Sequence, residues 1–285
     1  MPHRFHQLDV FTAVPLLGNP LAVVHDAQGL SDERMLALSR WTNLSETTFL
    51  LPPTEEGADY KVRIFTPNGE LPFAGHPTLG SCHAWLAAGG VPRHEGLVVQ
   101  ECGVGLVRIR KTPTAAGGMR LAFAAPPLRR TGPMEPMLLR RVAAGLGVAA
   151  DDIMAHQWID NGPGWCAVML RSAAQVLGVR PDWTVLGQAK LGVVGPQAPG
   201  SDTAFEVRAF VPGLGVPEDP VTGSLNAGIA QWLIAAGLAP SSYVASQGTA
   251  LGRAGRVYID QAIDGSKDIW VGGDVAHCIE GSVTL

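Results

Sequence analysis

The sequence predicts an α+β protein of two pseudo-symmetric lobes, each with strands wrapped around a central buried helix. Two helical stretches, 78–88 and 224–236, carry apolar or small residues on nearly every side, and a helix without a polar face must be enclosed by other elements. Both stretches end in Ala-Ala-Gly. Strand-like runs precede both helices in a similar order, so duplication of one lobe is the simplest explanation.

The first lobe begins with strand-like runs and one short helix. Ser31 suits the N-cap of this helix, because Asp32 and Glu33 then lie in the first turn, where the helix dipole favours acidic side chains. Residues 43–51 are rich in Thr, Phe and Leu and predict a strand. The remaining runs that predict this lobe's strands are 5–10, 60–65, 97–102 and 104–110, with an apolar segment at 21–24.

A stretch rich in Pro and Arg at 124–133 marks the predicted domain boundary. We therefore predict an N-terminal lobe of residues 1–124 and a C-terminal lobe of residues 125–285, whose last strand can pack back on the first lobe. A predicted helix at 136–144, ended by a glycine, corresponds in order to the first helix of the N-terminal lobe. The predicted strands of the second lobe are 165–170 and 205–211.

Composition limits the functions that the chain can have. The 285 residues carry a formal charge of −4 and are 46% hydrophobic, which is typical of a compact folded protein and leaves no basic surplus for a nucleic acid. No apolar run approaches the roughly 18 residues of a membrane helix, and the polar N-terminal segment is unlike a signal peptide. We expect a cytoplasmic protein with no nucleic acid, membrane or metal partner, and reduced structural cysteines.

A polar motif is repeated near the starts of the two buried helices. Residues 76–81 (HPTLGS) and 219–224 (DPVTGS) share the spacing x-P-x-x-G-S, at an offset of 219 − 76 = 143. This register predicts that His76 and Asp219 occupy equivalent positions. A histidine or an aspartate before proline is usually an ordinary turn residue when it occurs singly. The repetition of both at one spacing favours a functional role.

The repeated motif also predicts a site for an anion. Each buried helix is expected to begin just after the titratable side chain, so that its unpaired N–H groups and positive dipole end can hold a carboxylate substrate. Gly80 and Gly223 would let the backbone approach a ligand closely. Proton transfer would then fall to Glu46, His76 and Asp219.

Two interpretations of Glu46 stay open from the residues alone. In a pleated strand its side chain shares a face with Leu44, Thr48 and Leu50. The carboxylate is then either solvated at the end of the strand or held near apolar surface. Desolvation of the second kind raises the pKa of a carboxyl group towards the range that suits a general base.

Five segments carry a distinctive pattern: LDVFTAVPLLGNPLAVV (8–24), LSETTFL (44–50), FTPNGELPFAGHPTLG (65–80), EDPVTGS (218–224) and QGTALGRAGRV (247–257). Together, and in this order, they resemble the signature of the PhzF family, the phenazine-biosynthesis-like isomerases. The resemblance spans nearly the whole chain.

The resemblance implies a fold similar to diaminopimelate epimerase, with the active site in the cleft between two lobes, a homodimer and no cofactor. The founding member of the family isomerises trans-2,3-dihydro-3-hydroxyanthranilate by moving a proton. By position, Glu46 matches the acid/base of the family, and His76 and Asp219 match its flanking polar pair. Gly75 and Ser224 match positions that line the substrate site. The implied function is a cofactor-independent isomerase that acts on a small carboxylic acid.

Two alternatives to this function rank below it. An epimerase that uses two cysteine bases is disfavoured, because an offset of 143 from Cys82 leads to Leu225 rather than to a second cysteine. A binding or regulatory protein that kept the cleft without catalysis is the second alternative. It ranks below the isomerase because Glu46, His76 and Asp219 are all present.

Overall fold

The computed structural model describes residues 2–114, 117–212 and 217–285. The chain divides into two compact units. The first unit consists of Met1–Ala124 together with Gly272–Leu285, and the second consists of Ala125–Val271.

Strands and a few helices make up both units. The described strands are β1 (Pro2–Val10), β2 (Asn19–Val24), β3 (Thr47–Leu51), β4 (Tyr60–Thr66), β5 (Gly69–Leu71), β6 (Leu97–Cys102), β7 (Gly105–Pro113), β8 (Met119–Ala124), β9 (Ile153–Trp158), β10 (Cys166–Leu170), β11 (Leu191–Pro196), β12 (Phe205–Phe210), β13 (Glu218–Asp219), β14 (Ser242–Gln247), β15 (Gly255–Gln261), β16 (Ile269–Gly273) and β17 (Val275–Thr284). The described helices are α1 (Asp32–Thr42), α2 (Gly75–Ala87), α3 (Pro136–Leu146), α4 (Ala173–Gly178), α5 (Trp183–Leu186) and α6 (Gly223–Ala235). None of these helices is long and apolar enough to cross a lipid bilayer.

In the first unit, paired strands surround α2. Strand β1 pairs antiparallel with β2 and with β17, and β2 runs parallel to β3. Strand β4 is antiparallel to β3 and β5 and parallel to β6, and β7 is antiparallel to β6 and β8. Helix α2 contacts β1, β2, β3, β4, β6, β8 and β17. Its predicted position at the centre of a lobe is therefore confirmed.

The second unit repeats this pairing pattern. Strand β9 is antiparallel to β10, and β10 runs parallel to β11. Strand β12 is antiparallel to β11 and β13 and parallel to β14, and β15 is antiparallel to β14. These relations match those of β1 to β7 one for one, and α6 stands between β13 and β14 as α2 stands between β5 and β6. The predicted α+β class with two pseudo-symmetric lobes is confirmed.

Each unit has its own apolar core beneath its flanking helices. In the first unit one cluster joins α1 to the sheet through Val24, Met35, Leu38, Phe49 and Phe65. In the second unit a cluster joins α3 to the sheet through Val142, Leu146, Val168, Val193 and Phe210.

The two central helices set the register of the duplication. Helices α2 and α6 have 13 residues each, and both their first and their last residues differ by 148 (223 − 75 and 235 − 87). At this offset ELPFAGHPTLG (70–80) aligns with EDPVTGSLNAG (218–228), with a Glu, a Pro and two Gly in common. His76 therefore corresponds to Ser224, and Asp219 corresponds to Leu71. The predicted equivalence of His76 and Asp219, at an offset of 143, is wrong.

Two close contacts support the new register. Gly103 directly follows β6, and a Cβ atom added to it would lie 2.7 Å from the Cα of Pro72. Gly248 directly follows β14, and a Cβ atom added to it would lie 2.8 Å from the carbonyl oxygen of Pro220. The two prolines are 220 − 72 = 148 residues apart, so both units pack a strand end against the same turn.

The strand that contains the TTFLL sequence is shorter than predicted. Asn43 ends α1 in the left-handed conformation, with φ of 53°, which asparagine tolerates better than most residues do. The strand begins only at Thr47. Glu46 therefore lies in the connection before β3, and the expected alternation of its side chain with Leu44 and Thr48 on one face does not apply.

Helix α3 also differs from its prediction. It continues through Gly145 to Leu146 and ends at Gly147, whose φ of 67° is the left-handed conformation common at helix ends. Helix α3 precedes β9, whereas α1 lies between β2 and β3. The corresponding interval of the second unit, between β10 and β11, holds α4 and α5. The predicted correspondence of α3 with α1 is therefore wrong.

Candidate active site

Two of the predicted proton-transfer residues, Glu46 and His76, are neighbours in the first unit. The Nε2 atom of His76 lies 3.5 Å from Oε2 of Glu46, and the two side chains are 4% and 16% exposed. This separation is longer than that of a well-formed hydrogen bond. The two side chains therefore lie close together, largely shielded from water, without a well-formed hydrogen bond between them.

The chain brings these side chains together by placing both at the ends of elements. Helix α2 starts at Gly75, after the N-cap residue Ala74, so His76 lies in its first turn. Glu46 directly precedes β3, and β3 contacts α2. Residues at the end of a strand and in the first turn of a helix can point into one place without interrupting either element's backbone hydrogen bonds.

A buried asparagine supports the pair from the other side of the imidazole ring. Nδ2 of Asn19 lies 3.4 Å from Nδ1 of His76, and the hydroxyl of Ser45 donates to Oδ1 of Asn19 at 3.5 Å. Asn19 is the first residue of β2 and is 1% exposed. The sequence analysis did not single out Asn19, which lies within the motif at 8–24. The feature of the sequence that could have revealed Asn19 is its place as a polar residue beside the apolar strand residues of GNPLAVV (18–24).

Burial controls the protonation of His76. Desolvation lowers the pKa of this histidine from its ordinary 6.5 to about 3, because the charged imidazolium loses its hydration when buried. The ring is therefore neutral near pH 7. A neutral imidazole has one donor and one acceptor nitrogen. When Nδ1 accepts from the amide of Asn19, which can only donate, the proton lies on Nε2, which can then donate to the carboxylate of Glu46.

The start of α6 carries Asp219 and Thr222. Asp219 is the second residue of β13, and Thr222 is the N-cap of α6. The Thr222 hydroxyl donates to Oδ2 of Asp219 at 2.5 Å and makes no capping hydrogen bond to α6. Pro220 lies two residues before this N-cap and is therefore outside the helix.

Two side chains that the sequence analysis passed over hold Ser224. The indole Nε1 of Trp165 donates to the Ser224 hydroxyl at 3.0 Å, and Nδ2 of Asn161 donates to the Ser224 carbonyl at 2.8 Å. Gly223 and Ser224 are the first two residues of α6. A hydroxyl that accepts from an indole keeps its own proton for another acceptor. Trp165 was assigned only as the beginning of a strand, since nothing local in the sequence indicates its partner.

Packing accounts for Gly80 without a ligand. A Cβ atom added to Gly80 would lie 2.4 Å from Cδ2 of Leu21 and 3.0 Å from Cγ2 of Val10. This glycine lets α2 approach β1 and β2 closely. Its expected role in admitting a ligand is not needed to explain the residue.

The cysteines offer no reactive thiol at the helix starts. Cys82 lies within α2 with no exposed surface, and burial raises the pKa of its thiol well above the ordinary value. Since the thiolate is the reactive form, this environment disfavours Cys82 as a base. Among the described residues, no group of three His, Cys, Asp or Glu side chains has the geometry of a metal site.

Comparison with known proteins extends over nearly the whole chain. Antisense-enhancing sequence 1 of Schizosaccharomyces pombe is 36% identical over 291 residues, covering 98% of each protein. Trans-2,3-dihydro-3-hydroxyanthranilate isomerase of Pseudomonas aeruginosa is 32% identical, covering 99% of this chain and 100% of the relative. The solved structure of a predicted epimerase from Pseudomonas aeruginosa superposes with a TM-score of 0.80 at 28% identity, covering 99% of each chain.

A family match agrees with these relatives. The prediction that the chain is an isomerase enzyme is confirmed by the relatives and structural neighbours that are isomerases and epimerases. Residues 8–281 match the PhzC-PhzF family, described as phenazine biosynthesis-like protein. Because this match covers almost all of the sequence, the chain belongs to the PhzC-PhzF family.

Proposed function

We propose that the protein is a cofactor-independent isomerase that moves a proton on a small carboxylic acid, with Glu46 as the group that removes and returns the proton. The approach of Glu46 to His76 carries this proposal. A proton shift needs one group that acts first as base and then as acid. A carboxylate that is 16% exposed and faces a neutral imidazole meets that need.

The neutral histidine matters for the return of the proton. With Nδ1 accepting from Asn19, Nε2 of the neutral His76 carries the proton and can donate to the ionised Glu46. A charged imidazolium would favour only the carboxylate form and would oppose protonation of Glu46. Burial of His76 therefore lets Glu46 alternate between two states at one site.

We propose polar contacts with the substrate for Asp219 and Ser224, and lining positions for Gly75 and Gly223. The support is the unfilled capping at both central helices: the side chain of Ala74 has no polar group, and Thr222 makes no capping bond. First-turn N–H groups left without caps favour a carboxylate or a developing negative charge. Gly80 stays a predicted lining residue alongside its packing role.

The first substrate to test is trans-2,3-dihydro-3-hydroxyanthranilate, after which the Pseudomonas aeruginosa relative is named. This compound, together with other cyclic and amino carboxylic acids, is incubated with the protein in deuterated solvent. Mass spectrometry and NMR then report deuterium at the carbon that gains the proton. We expect exchange with wild type and a loss of about 100-fold or more in Glu46→Gln.

The matched control is the exposed Glu56, for which Glu56→Gln should exchange like wild type. Turnover unchanged in Glu46→Gln would overturn the role of Glu46. Exchange in none of the compounds by wild type would overturn proton transfer on this substrate class.

A binding or regulatory protein without catalysis is the second candidate. The Schizosaccharomyces pombe relative is named for antisense enhancement, and this name describes no reaction. This candidate predicts saturable binding of a small carboxylate, measured by calorimetry, with no deuterium exchange by wild type. Exchange in the experiment above would exclude it as the sole function.

Homodimerisation and a cytoplasmic location complete the proposal. The dimer rests on the family resemblance, and the cytoplasmic location rests on that resemblance and on the weakly acidic composition of the chain. Light scattering coupled to size-exclusion chromatography tests the dimer: a mass near 29.9 kDa, that of one chain, would contradict it.

A further inference from the structure

The side-chain amide of Gln247 has all four of its hydrogen-bonding positions occupied at the start of α6. Its Oε1 accepts from the Thr222 backbone N–H at 3.0 Å and from Nδ2 of Asn226 at 2.8 Å. Its Nε2 donates to the Asp219 carbonyl at 3.1 Å and to the Thr222 hydroxyl at 3.0 Å. Gln247 is 1% exposed, so water does not compete for these positions.

These partners fix the orientation of the amide. A flipped Gln247 would set its NH₂ group against two donors, the N–H of Thr222 and the NH₂ of Asn226, and would set its oxygen against the Asp219 carbonyl. Only the orientation with Nε2 towards the Thr222 hydroxyl satisfies every group. The direction of the next hydrogen bond follows from this.

The Thr222 hydroxyl has one proton to donate. Because its oxygen accepts from Gln247, that proton is directed to Oδ2 of Asp219, at a distance of 2.5 Å. The donor sequence therefore runs one way, from Gln247 through Thr222 to Asp219. Thr222 is a good N-cap residue type, but its hydroxyl bonds Gln247 and Asp219 and makes no capping bond to α6.

The first unit repeats this strand–helix–strand arrangement, in β5, α2 and β6, but lacks the series of hydrogen bonds that runs from Gln247 to Asp219. The residues at the corresponding places are Cys102, the last residue of β6, Ala74, the N-cap of α2, and Leu71, the last residue of β5. None of the three side chains can form such a chain of strong hydrogen bonds. The duplicated fold thus forms without it, and a purely structural role does not account for it.

We propose that Gln247 and Thr222 are positioning residues, whose fixed sequence of hydrogen bonds holds the Asp219 carboxylate in one orientation for the substrate. This inference rests on the proposed function through the substrate contact of Asp219. It gives a role to the QGTALGR segment, which begins at Gln247.

The test compares Thr222→Val, which removes the hydroxyl at nearly constant volume, with Thr222→Ser, which keeps it. The readouts are kcat and KM for deuterium exchange into trans-2,3-dihydro-3-hydroxyanthranilate, and the carboxyl ¹³C resonance of Asp219, assigned through Asp219→Asn. We expect Thr222→Val to lower kcat by up to about 100-fold with little change in KM and to move the Asp219 resonance. Thr222→Ser should restore both, and the exposed Thr131→Val should change neither.

An Asp219 resonance that is unchanged in Thr222→Val would overturn the proposal, whatever happens to kcat. If Thr222→Val does not fold, Gln247→Glu is the second variant: the new carboxylate would accept the Thr222 proton, so that Asp219 loses the Thr222 hydroxyl as a donor and its resonance must move. A wild type that exchanges no deuterium would count against the proposed function for this substrate. The Asp219 resonance would still decide whether the hydrogen bonds position the carboxylate.

Discussion

The two central helices, α2 and α6, correspond in position, but they carry different polar side chains at equivalent positions near their starts. Ahead of α2 and α6 the turns share Glu, Pro and Gly at an offset of 148, and these residues build the turn and the helix start. The side chains that differ are the polar ones: His76 stands where the second unit has Ser224, and Asp219 stands where the first unit has Leu71. The two copies therefore share a backbone and differ in the polar side chains at their helix starts.

A duplicated ion pair shows a second difference between the copies. Arg63 binds Glu70 through two hydrogen bonds of 2.8 and 2.6 Å, and Arg208 binds Glu218 in the same way at 2.8 and 2.7 Å. In the first unit these side chains are 22% and 41% exposed, and in the second they are 6% and 8% exposed. The same pair therefore lies at the surface in one copy and in the interior of the other.

The largest expected effect concerns the two helix starts. If His76 serves proton transfer and Ser224 only binds substrate, His76→Ala should lower deuterium exchange by about 100-fold or more. Ser224→Ala should lower it about tenfold, the value of one hydrogen bond. Initial rates of exchange into trans-2,3-dihydro-3-hydroxyanthranilate measure both. Equal losses would show that the two copies contribute alike and would remove the proposed asymmetry.

The ion pairs give the next largest effect. Glu218→Gln leaves a buried guanidinium without its countercharge and should cost about 3–5 kcal/mol of unfolding free energy. Glu70→Gln is the matched control at the surface and should cost less than about 1 kcal/mol, since Arg63 also keeps its bond to Asp32. Urea denaturation measures both values. Similar losses in the two variants would contradict burial as the difference between the copies.

Acid should weaken the first unit before the second. Burial lowers the pKa of His25 to about 4 and that of His76 to about 3, whereas both titrate near 6.5 in the unfolded chain. Between these values the unfolded state binds protons that the folded state does not, so stability falls as pH falls below about 6.5. The loss is about 1.4 kcal/mol per pH unit for each histidine.

The second unit has one histidine, His156, among residues 125–271, so this effect should be confined to the first. Hydrogen exchange at pH 7 and pH 5, corrected for the intrinsic rates, follows the two units separately. His25→Gln should remove one histidine's share of the loss. Equal loss of protection in both units would point to another cause, such as the carboxylates.

How much the sequence could predict depends on whether an interaction is local. The central helices and the strand at Tyr60–Thr66 follow from apolar pattern, glycine stops and strand-forming residues, and they were found nearly at their observed ends. The last strand, β17, was predicted without bounds, because it is mostly exposed and carries His277, Glu280 and Gly281 rather than an apolar run. It is specified by pairing with β1, which the local sequence does not show.

For the candidate site, too, residues in local motifs could be predicted, whereas residues that act through long-range contacts could not. Glu46, His76 and Asp219 were named from motifs, but Asn19, Trp165 and Gln247 were not, since each reaches its partner across 57, 59 or 25 residues of chain. The correct register was present in the sequence as E-x-P-x-x-G-x-x-x-x-G. The shorter x-P-x-x-G-S match, at an offset of 143 residues, obscured it. That match pairs Gly80, the sixth residue of α2, with Gly223, the first residue of α6.

The smallest expected effect separates two equivalent glycines, Gly80 and Gly228. Replacing glycine with alanine in a helix gains up to about 1 kcal/mol from the backbone. At Gly80 the new methyl group meets the flexible end of Leu21, so the net change in unfolding free energy should be close to zero. At Gly228 it meets the backbone oxygen of Ile159 at 2.6 Å, which cannot rotate away. Overpacking of this kind costs about 1–3 kcal/mol.

Thermal and urea denaturation of Gly80→Ala and Gly228→Ala compare the two sites directly, with each variant serving as the other's control. We expect Gly228→Ala to be less stable by about 2 kcal/mol. An equal or larger loss in Gly80→Ala would mean that Leu21 is held as rigidly as the backbone of Ile159. The first unit would then be packed around its helix as tightly as the second, and the histidine-bearing copy would have no more freedom at its helix than the serine-bearing one.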